Sequence, residues 1–129
     1  MIMIVRGLPG SGKSSLARQM EGYVHIEDDM FWGEDYKFDR NWLRQAREWC
    51  LAEVTRHVYH GRNVVVSNTF TTLSEMKPYL DLGRYANVPV FIYNCYGEFG
   101  SIHNVPEDII EAMKARWQQF PECSGKYIT

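Results

Sequence analysis

The stretch Gly7-Leu8-Pro9-Gly10-Ser11-Gly12-Lys13-Ser14 decides the fold of this chain. It matches the pattern GxxxxGK[ST] and follows a short apolar run at residues 2–5, which predicts a buried strand. Glycines let backbone N–H groups point inward around a phosphate, and a helix that follows adds the positive end of its dipole. The motif therefore predicts a phosphate-binding loop between a strand and a helix.

Two side chains of the motif have predicted roles on a nucleotide. Lys13 is expected to reach the β- and γ-phosphates, and the Ser14 hydroxyl is expected to ligate Mg²⁺. The alternative, a glycine-rich turn with a chance Lys-Ser pair, is disfavoured by the strand-loop-helix context. The predicted nucleotide-binding residues are Gly7, Leu8, Pro9, Gly10, Ser11, Gly12, Lys13, Ser14 and Ser15.

Strand and helix patterns alternate along the rest of the chain. Apolar runs predict three further strands at 24–26, 63–67 and 88–94, and residues 126–129 are compatible with a fifth. Helical patterns cover 13–20, 39–61, 74–85 and the residues from 106 onward. Strands that alternate with helices predict an α/β fold, with a parallel sheet of four to five strands covered on both faces as a three-layer α/β/α structure.

Particular residues mark the ends and faces of the predicted helices. Asp39 is the expected N-cap of the long second helix. Ser74 is the expected N-cap of the third helix, which places Pro78 in or just after the first turn, where its missing N–H costs little. Three apolar residues of the last helix are expected on its inner side: Ile109, Met113 and Phe120.

Length and composition narrow the class of protein. The chain has 129 residues, which predicts one domain over 1–129. Its composition, with 45% hydrophobic and 23% charged residues, is that of a globular protein and excludes a disordered chain. A net charge of -2 argues against a protein that coats nucleic acid, so any such contact is expected to be local. Three scattered cysteines without CxxC spacing favour a reducing cytoplasm, and no run is long enough for a membrane span.

An acidic run follows the second predicted strand. Glu27-Asp28-Asp29 should lie at the carboxyl edge of the sheet, beside the phosphate loop. Phosphoryl transfer to a hydroxyl requires that the hydroxyl be oriented and lose its proton, which a carboxylate can accept. Asp28 is the candidate base, with Asp29 as second choice or structural partner; a solvated acidic turn is the alternative.

The end of the third strand, Ser67-Asn68-Thr69, lacks the carboxylate that many phosphate-loop enzymes place there for the magnesium shell. Asn68 is a candidate to orient a substrate hydroxyl or a metal-bound water, the alternative being a turn residue that bonds its own backbone.

Three arginines recur at helical spacing on the long helix, with tryptophans nearby. Basic and aromatic side chains together can hold a phosphodiester chain and stack bases, whereas the alternative is an ordinary solvated helix face. The candidate substrate-binding arginines are Arg40, Arg44 and Arg47.

The ordered set of motifs resembles the 5′-hydroxyl polynucleotide kinase family and its small relatives related to NEDD4-binding protein 2. The resemblance covers nearly the whole chain. It rests on GLPGSGKSSLAR, Asp28-Asp29, the long helix with Trp49, VVVSNTF, Glu75-Met76-Lys77-Pro78-Tyr79 and VPEDIIEAMKARW.

This resemblance implies a P-loop NTPase fold of the kinase type and an ATP-dependent kinase that uses Mg²⁺. The γ-phosphate would go to a hydroxyl, with the 5′-hydroxyl of RNA or DNA as the favoured acceptor. Lys13 and Ser14 would hold triphosphate and magnesium, and Asp28 would activate the hydroxyl. The alternatives are a kinase for a nucleoside, nucleotide or other small metabolite, and a nucleotide-binding module with little transfer activity.

The chain departs from the family pattern in two places. Family members carry an arginine for the acceptor phosphate shortly after the acidic pair, where this chain has Met30, Phe31 and Trp32. The arginine-rich lid is replaced by residues 96–104, which contain no arginine. Phosphoryl transfer depends on positive charge near the phosphoryl oxygens, on which negative charge develops in the transition state. The missing lid arginine therefore predicts slow chemistry, a substitute cation such as Arg116 or Arg6, an arginine from another subunit, or no transfer.

Overall fold

A computed structural model describes residues 1–33, 37–97, 105–119 and 126–128. Within this part of the chain, no helix is both long enough and apolar enough to cross a bilayer. The strands are β1 Ile2–Gly7, β2 Tyr23–Ile26, β3 Asn63–Asn68, β4 Val90–Cys95 and β5 Lys126–Ile128. The α-helices are α1 Lys13–Arg18, α2 Leu43–Tyr59, α3 Leu73–Ala86 and α4 Glu107–Arg116, with short 3-10 turns at Asp28–Trp32 and Arg40–Trp42.

The sheet has the strand order β2-β3-β1-β4-β5. The first four strands are parallel, and β1 lies between β3 and β4, with Met3 opposite both Val65 and Phe91. A central parallel strand is covered on both faces, which explains why its sequence is a continuous apolar run. The predicted α/β fold is confirmed, although β5 differs from the rest because it pairs with β4 antiparallel.

Helices cover the sheet on both faces. Ile4 of β1 belongs to a buried cluster with Val54 of α2 and Met76 of α3. The next residue, Val5, points to the opposite face and packs with Ala17 of α1. Because successive side chains of a strand alternate between faces, one central strand anchors both helical layers.

The long helix begins later than predicted. Asp39 does cap a helical segment, since its Oδ1 accepts a hydrogen bond from the N–H of Asn41 at 2.9 Å. That segment is the 3-10 turn Arg40–Trp42, and α2 itself begins at Leu43. An Asp that bonds a backbone N–H two residues ahead favours a tight turn, which explains the difference.

The prediction for the start of α3 was wrong. The N-cap is Thr72 rather than Ser74, and the Glu75 carboxylate accepts hydrogen bonds from the N–H and hydroxyl of Thr71 at 3.2 and 3.1 Å. This arrangement resembles a capping box and fixes an earlier start. Pro78 therefore lies inside the helix, where it removes the bond to the carbonyl of Ser74, an exposed residue that water can reach.

The predicted inner face of α4 was also partly wrong. Ile109 is 41% exposed, whereas its neighbour Ile110 is half-buried, like Met113. Ile110 lines a cavity with Leu8, so α4 lies beside the loop after β1 rather than under the sheet. Phe120, the third residue predicted for that face, lies outside the described residues.

Candidate nucleotide and acceptor site

The candidate site lies at the carboxyl ends of the parallel strands. The loop after β1 contains the GxxxxGK[ST] motif, Asp28 follows β2, and Asn68 is the last residue of β3. Since β2, β3 and β1 are neighbours in the sheet, the three predicted groups meet at one edge, where open α/β sheets bind ligands.

The backbone of the motif forms a cradle that requires glycine. Gly10 and Gly12 have φ angles of 82° and 90°, which L-residues with side chains rarely adopt. A Cβ on Gly7 would collide with the Ser11 hydroxyl and lie 2.8 Å from the Cys95 carbonyl oxygen. The loop conformation therefore depends on glycine; within it the Ser11 N–H donates to the Leu8 carbonyl at 3.1 Å. The start of α1 follows directly, where the helix dipole favours an anion.

Lys13 is half-buried at the first turn of α1. Burial lowers the pKa of Lys13, and the negative charges of Glu27 and Asp29 partly offset that effect. A desolvated cation beside an anion-binding cradle is suited to bind phosphate oxygens.

The Ser14 hydroxyl is hydrogen-bonded to the carboxylate of Glu27, the residue that follows β2. Its Oγ donates a hydrogen bond to Glu27 Oε2 at 2.8 Å, and Ser67 Oγ donates to the same oxygen at 2.9 Å. His25 Nε2 lies 3.3 Å from that oxygen. Burial opposes ionisation of Glu27, but the hydrogen bonds from His25, Ser14 and Ser67 outweigh it and lower the pKa of Glu27 to about 2. The remaining predicted residue, Ser15, is exposed.

These donors fit a magnesium ion that is held together with nucleotide. Mg²⁺ prefers oxygen ligands and is usually bound by one or two protein groups, water and substrate phosphates. The Ser14 hydroxyl is such a group, and its hydrogen bond to the Glu27 carboxylate leaves its oxygen lone pairs for a cation. The described residues contain no cluster of three or more His, Cys, Asp or Glu that could hold a metal alone.

Asp28, the candidate base, is held by Asn68. The backbone N–H of Asp28 donates to Asn68 Oδ1 at 2.8 Å, and Asn68 Nδ2 donates to Asp28 Oδ1 at 3.1 Å. Burial raises the pKa of Asp28, and a hydrogen bond with Cys50 and the charge of Arg47 offset this only partly. The environment therefore increases the proton affinity of the carboxylate, as a general base requires.

A cavity of about 350 Å³ opens beside this pair. Its lining includes Asp28, Asn68 and Arg47, together with the carboxylates of Glu48 and Glu75. A hydroxyl compound in this cavity would have access to the candidate base.

The three predicted arginines do not meet at this cavity. Arg47 lines it, but Arg44 is 86% exposed and its Nε forms an ion pair with Glu48 at 3.0 Å. Arg40 is exposed in the 3-10 turn before α2. The helical spacing predicted a continuous basic face, whereas the residues before Leu43 do not follow α-helical geometry.

Arg6, suggested above as a substitute lid cation, is fully buried and has its donors occupied. Its Nε donates to the Phe70 carbonyl at 2.9 Å, and one terminal nitrogen donates to the Gln118 carbonyl at 2.8 Å. The other terminal nitrogen donates to Asn94 at 3.2 Å, and the guanidinium lies 3.9 Å from the centre of the Trp117 ring. Arg6 is a structural residue, and the suggestion was wrong.

Arg116, the other suggested cation, remains a prediction. It is exposed at the end of α4, and its Nε donates to Thr71 Oγ1 at 3.0 Å. Residues 98–104 of the segment that replaces the lid lie outside the described ranges.

Aromatic packing occupies the positions where the family pattern has its acceptor arginine. The Phe31 ring lies 6.3 Å from Trp49 of α2, and Trp32 lies 5.4 Å from Phe38, both edge-on. A different cation, Arg47 of α2, lies on the wall of the cavity that contains Asp28.

Comparison with known proteins gives the family. The sequence model of the AAA domain family matches residues 2–96, which run from β1 to the end of β4. The chain belongs to the AAA domain family. The matched part of this AAA domain contains Lys13, Ser14, Asp28 and Asn68.

Individual relatives agree with this result. Human NEDD4-binding protein 2 is 29% identical over 137 residues, which cover 93% of this AAA domain but 8% of that protein. A chain of the Pnkp1/Rnl/Hen1 complex superposes with a TM-score of 0.64 at 17% identity, covering 98% of this chain and 44% of that one. Kti12 from Chaetomium thermophilum, solved with ADP-AlF3, gives 0.65 at 15% identity, covering 92% and 81%. This AAA domain therefore has the P-loop fold of kinase-like proteins.

Proposed function

We propose that this AAA domain is an ATP-dependent kinase that transfers the γ-phosphate to a hydroxyl. The observation that carries the proposal is the position of Asp28, which lines a cavity at the same sheet edge as the phosphate loop and has a raised pKa. A nucleotide site alone requires no carboxylate of this kind, whereas transfer to a hydroxyl does.

Each residue of the proposed site has a defined role in binding or transfer. The backbone of the loop binds the triphosphate, Lys13 balances charge on the β- and γ-phosphates, and Ser14 holds the magnesium ion. Bound magnesium would neutralise charge on the phosphate oxygens. Asp28 orients the acceptor hydroxyl and accepts its proton as the new O–P bond forms, while the bond from the γ-phosphorus to the β–γ bridging oxygen breaks and ADP leaves. Asn68 keeps the carboxylate in place.

The favoured acceptor is the 5′-hydroxyl end of RNA or DNA. A 5′-terminal nucleotide of a chain carries a phosphodiester near the reacting hydroxyl, and Arg47 supplies a cation on the wall of the cavity that contains Asp28. The likeness to a chain of Pnkp1/Rnl/Hen1, described as an RNA repair complex, supports the same acceptor class.

A small hydroxyl metabolite is the second candidate. The cavity of about 350 Å³ has the size of an ordinary small-ligand site, and Glu48 and Glu75 add negative charge that repels a polyanion. A nucleotide-binding module with little transfer is the third candidate, because residues 96–104 contain no arginine.

The test is incubation with γ-labelled ATP, magnesium and a set of acceptors, followed by product separation. The set contains 5′-hydroxyl RNA and DNA, the same oligonucleotides with 5′-phosphate, nucleosides and nucleoside monophosphates. We expect label on 5′-hydroxyl oligonucleotides and none on their 5′-phosphorylated controls or in reactions of Asp28→Asn. Label on the small compounds would establish the second candidate, and ATP binding without any product would establish the third.

A further inference from the structure

The magnesium shell of this chain lacks its usual carboxylate. P-loop NTPases hold Mg²⁺ with the loop Ser or Thr and an Asp from another strand. The two neighbours of β1 are β3, which ends in Ser67 and Asn68, and β4, which ends in Asn94 and Cys95. None of these four residues is acidic.

Glu27 supplies a carboxylate at that point from one strand further away. Ile26 is paired with Val66 in the β2–β3 register, so the residues that follow them, Glu27 and Ser67, are neighbours at the sheet edge. Adjacent strands lie about 4.8 Å apart, and a glutamate is one methylene longer than an aspartate. The longer side chain crosses the end of β3 and brings Oε2 to 2.8 Å from Ser14 Oγ.

Ser67 is the residue of β3 that the Glu27 carboxylate contacts. It is small, it is 1% exposed, and its hydroxyl donates to Glu27 Oε2 at 2.9 Å. His25 Nε2 lies 2.7 Å from the Ser67 hydroxyl, so a hydrogen-bonded chain supports the carboxylate from behind. An aspartate at position 67 would place a second negative charge directly beside Glu27, which is unfavourable for facing residues on paired strands.

The direction of the Ser14 hydrogen bond decides whether the lone pairs of its hydroxyl oxygen are available to a metal ion. A serine hydroxyl has one hydrogen to donate and two lone pairs to offer. In this structure the hydrogen goes to Glu27, so the lone pairs of Ser14 Oγ remain for a cation.

We propose that Glu27 is the positioning carboxylate of the magnesium site, acting through Ser14 and replacing from β2 the acidic residue that β3 lacks. The inference rests on the nucleotide-binding part of the proposed function and does not depend on phosphoryl transfer. It assigns Glu27 and Ser67 as one pair, in which the acidic residue follows β2 and the small hydroxyl residue lies on β3.

The test measures ATP affinity as a function of Mg²⁺ concentration, by calorimetry, in the parent, Glu27→Gln and the double variant Glu27→Ser/Ser67→Asp. Removing a group that supports a metal ligand typically weakens metal affinity about 10- to 100-fold. We expect that loss in Glu27→Gln, with ATP affinity in the absence of Mg²⁺ changed by less than about threefold. The double variant returns the carboxylate to β3 and should recover most of the Mg²⁺ dependence, which a purely structural role for Glu27 would not produce.

Glu21→Gln is the matched control, because it makes the same substitution at an exposed glutamate in the turn before the same strand, β2, outside the proposed site. Its Mg²⁺ dependence should equal that of the parent. Parent-like Mg²⁺ dependence in Glu27→Gln would overturn the proposal, as would a folded double variant without recovery. Because the readout is binding, absence of kinase activity in the parent would refute the proposed function and leave this inference standing.

Discussion

Asn68 closes a two-bond ring with Asp28, accepting from its backbone N–H and donating to its carboxylate. A side-chain amide can do both, because its carbonyl oxygen accepts and its NH2 group donates. The ring fixes the carboxylate relative to β3 and so relative to the phosphate loop. The candidate base is therefore positioned by the sheet rather than by the turn in which it lies.

Asp28→Asn should bind ATP almost normally and transfer phosphate poorly. The amide can still orient a hydroxyl but cannot accept its proton, and loss of a general base typically lowers turnover ~10²–10⁴-fold. Single-turnover kinetics with γ-labelled ATP and a 5′-hydroxyl oligonucleotide measures the effect. Turnover within threefold of the parent would remove Asp28 from the role of base.

The same substitution should stabilise the fold at neutral pH. Burial raises the folded-state pKa of Asp28 above its ordinary value of 3.8, so the ionised form costs stability. This cost is absent below pH 3.8, grows as the pH rises through the folded-state pKa and is fully present above it. Thermal unfolding should show a higher Tm for Asp28→Asn than for the parent at pH 7, with the difference shrinking as the pH falls. A lower Tm at pH 7 would contradict this.

Lys13→Ala should lower turnover more than it lowers ATP affinity. In the proposed site Lys13 binds the phosphate groups whose charge shifts during transfer, so part of its contribution arises only in the transition state. Calorimetry and steady-state kinetics together separate the two effects. Arg18→Ala is the control, because Arg18 is an exposed cation in the last turn of the same helix and should change neither quantity.

Arg47→Gln should reduce the salt dependence of binding to a 5′-hydroxyl oligonucleotide. One lost phosphate contact changes the log-log slope by about 0.7 for a single strand. Arg44→Gln removes the same charge from the same helix, but Arg44 is exposed and paired with Glu48, so its slope should match the parent. Equal slopes in all three proteins would favour the small-metabolite acceptor.

Arg6→Met should destabilise the protein strongly. It leaves the buried carbonyls of Phe70 and Thr71 without their donor, and each unpaired buried group costs about 1–3 kcal/mol. We expect the free energy of unfolding in urea to fall by at least about 2 kcal/mol. Arg44→Met, at an exposed position, should change it by less than about 0.5 kcal/mol. Similar values for the two variants would show that the network around Arg6 contributes little.

The features that sequence predicted are those encoded locally. The phosphate loop follows from its glycines and the strand before it, and the edge position of Asp28 follows from the rule that parallel strands end together. Asn68 was predicted either to orient a substrate hydroxyl or metal-bound water, or to bond its own backbone. In the structure its side chain bonds Asp28, because β3 and β2 are adjacent. Its role on a substrate hydroxyl or metal-bound water stays a prediction.

The missed features depend on contacts between distant segments. Glu27 was part of a recognised acidic run but received no role, since its contact with Ser14 requires knowledge of strand order. The absence of an acidic residue at the end of β3 was the sequence feature that could have indicated a role for Glu27. Arg6 gave no local signal at all, because its partners lie 64 to 112 residues away.

That separation has a consequence during synthesis. Arg6 leaves the ribosome 112 residues before Gln118, whose carbonyl is one of its acceptors. At ~5–20 residues per second, the interval is on the order of ten seconds. Both neighbours of β1 in the sheet, β3 and β4, are translated within this interval, by residue 95. The full set of acceptors for the Arg6 guanidinium exists only after Gln118 has been added, so this charged side chain obtains its last partner after the four parallel strands have been synthesised.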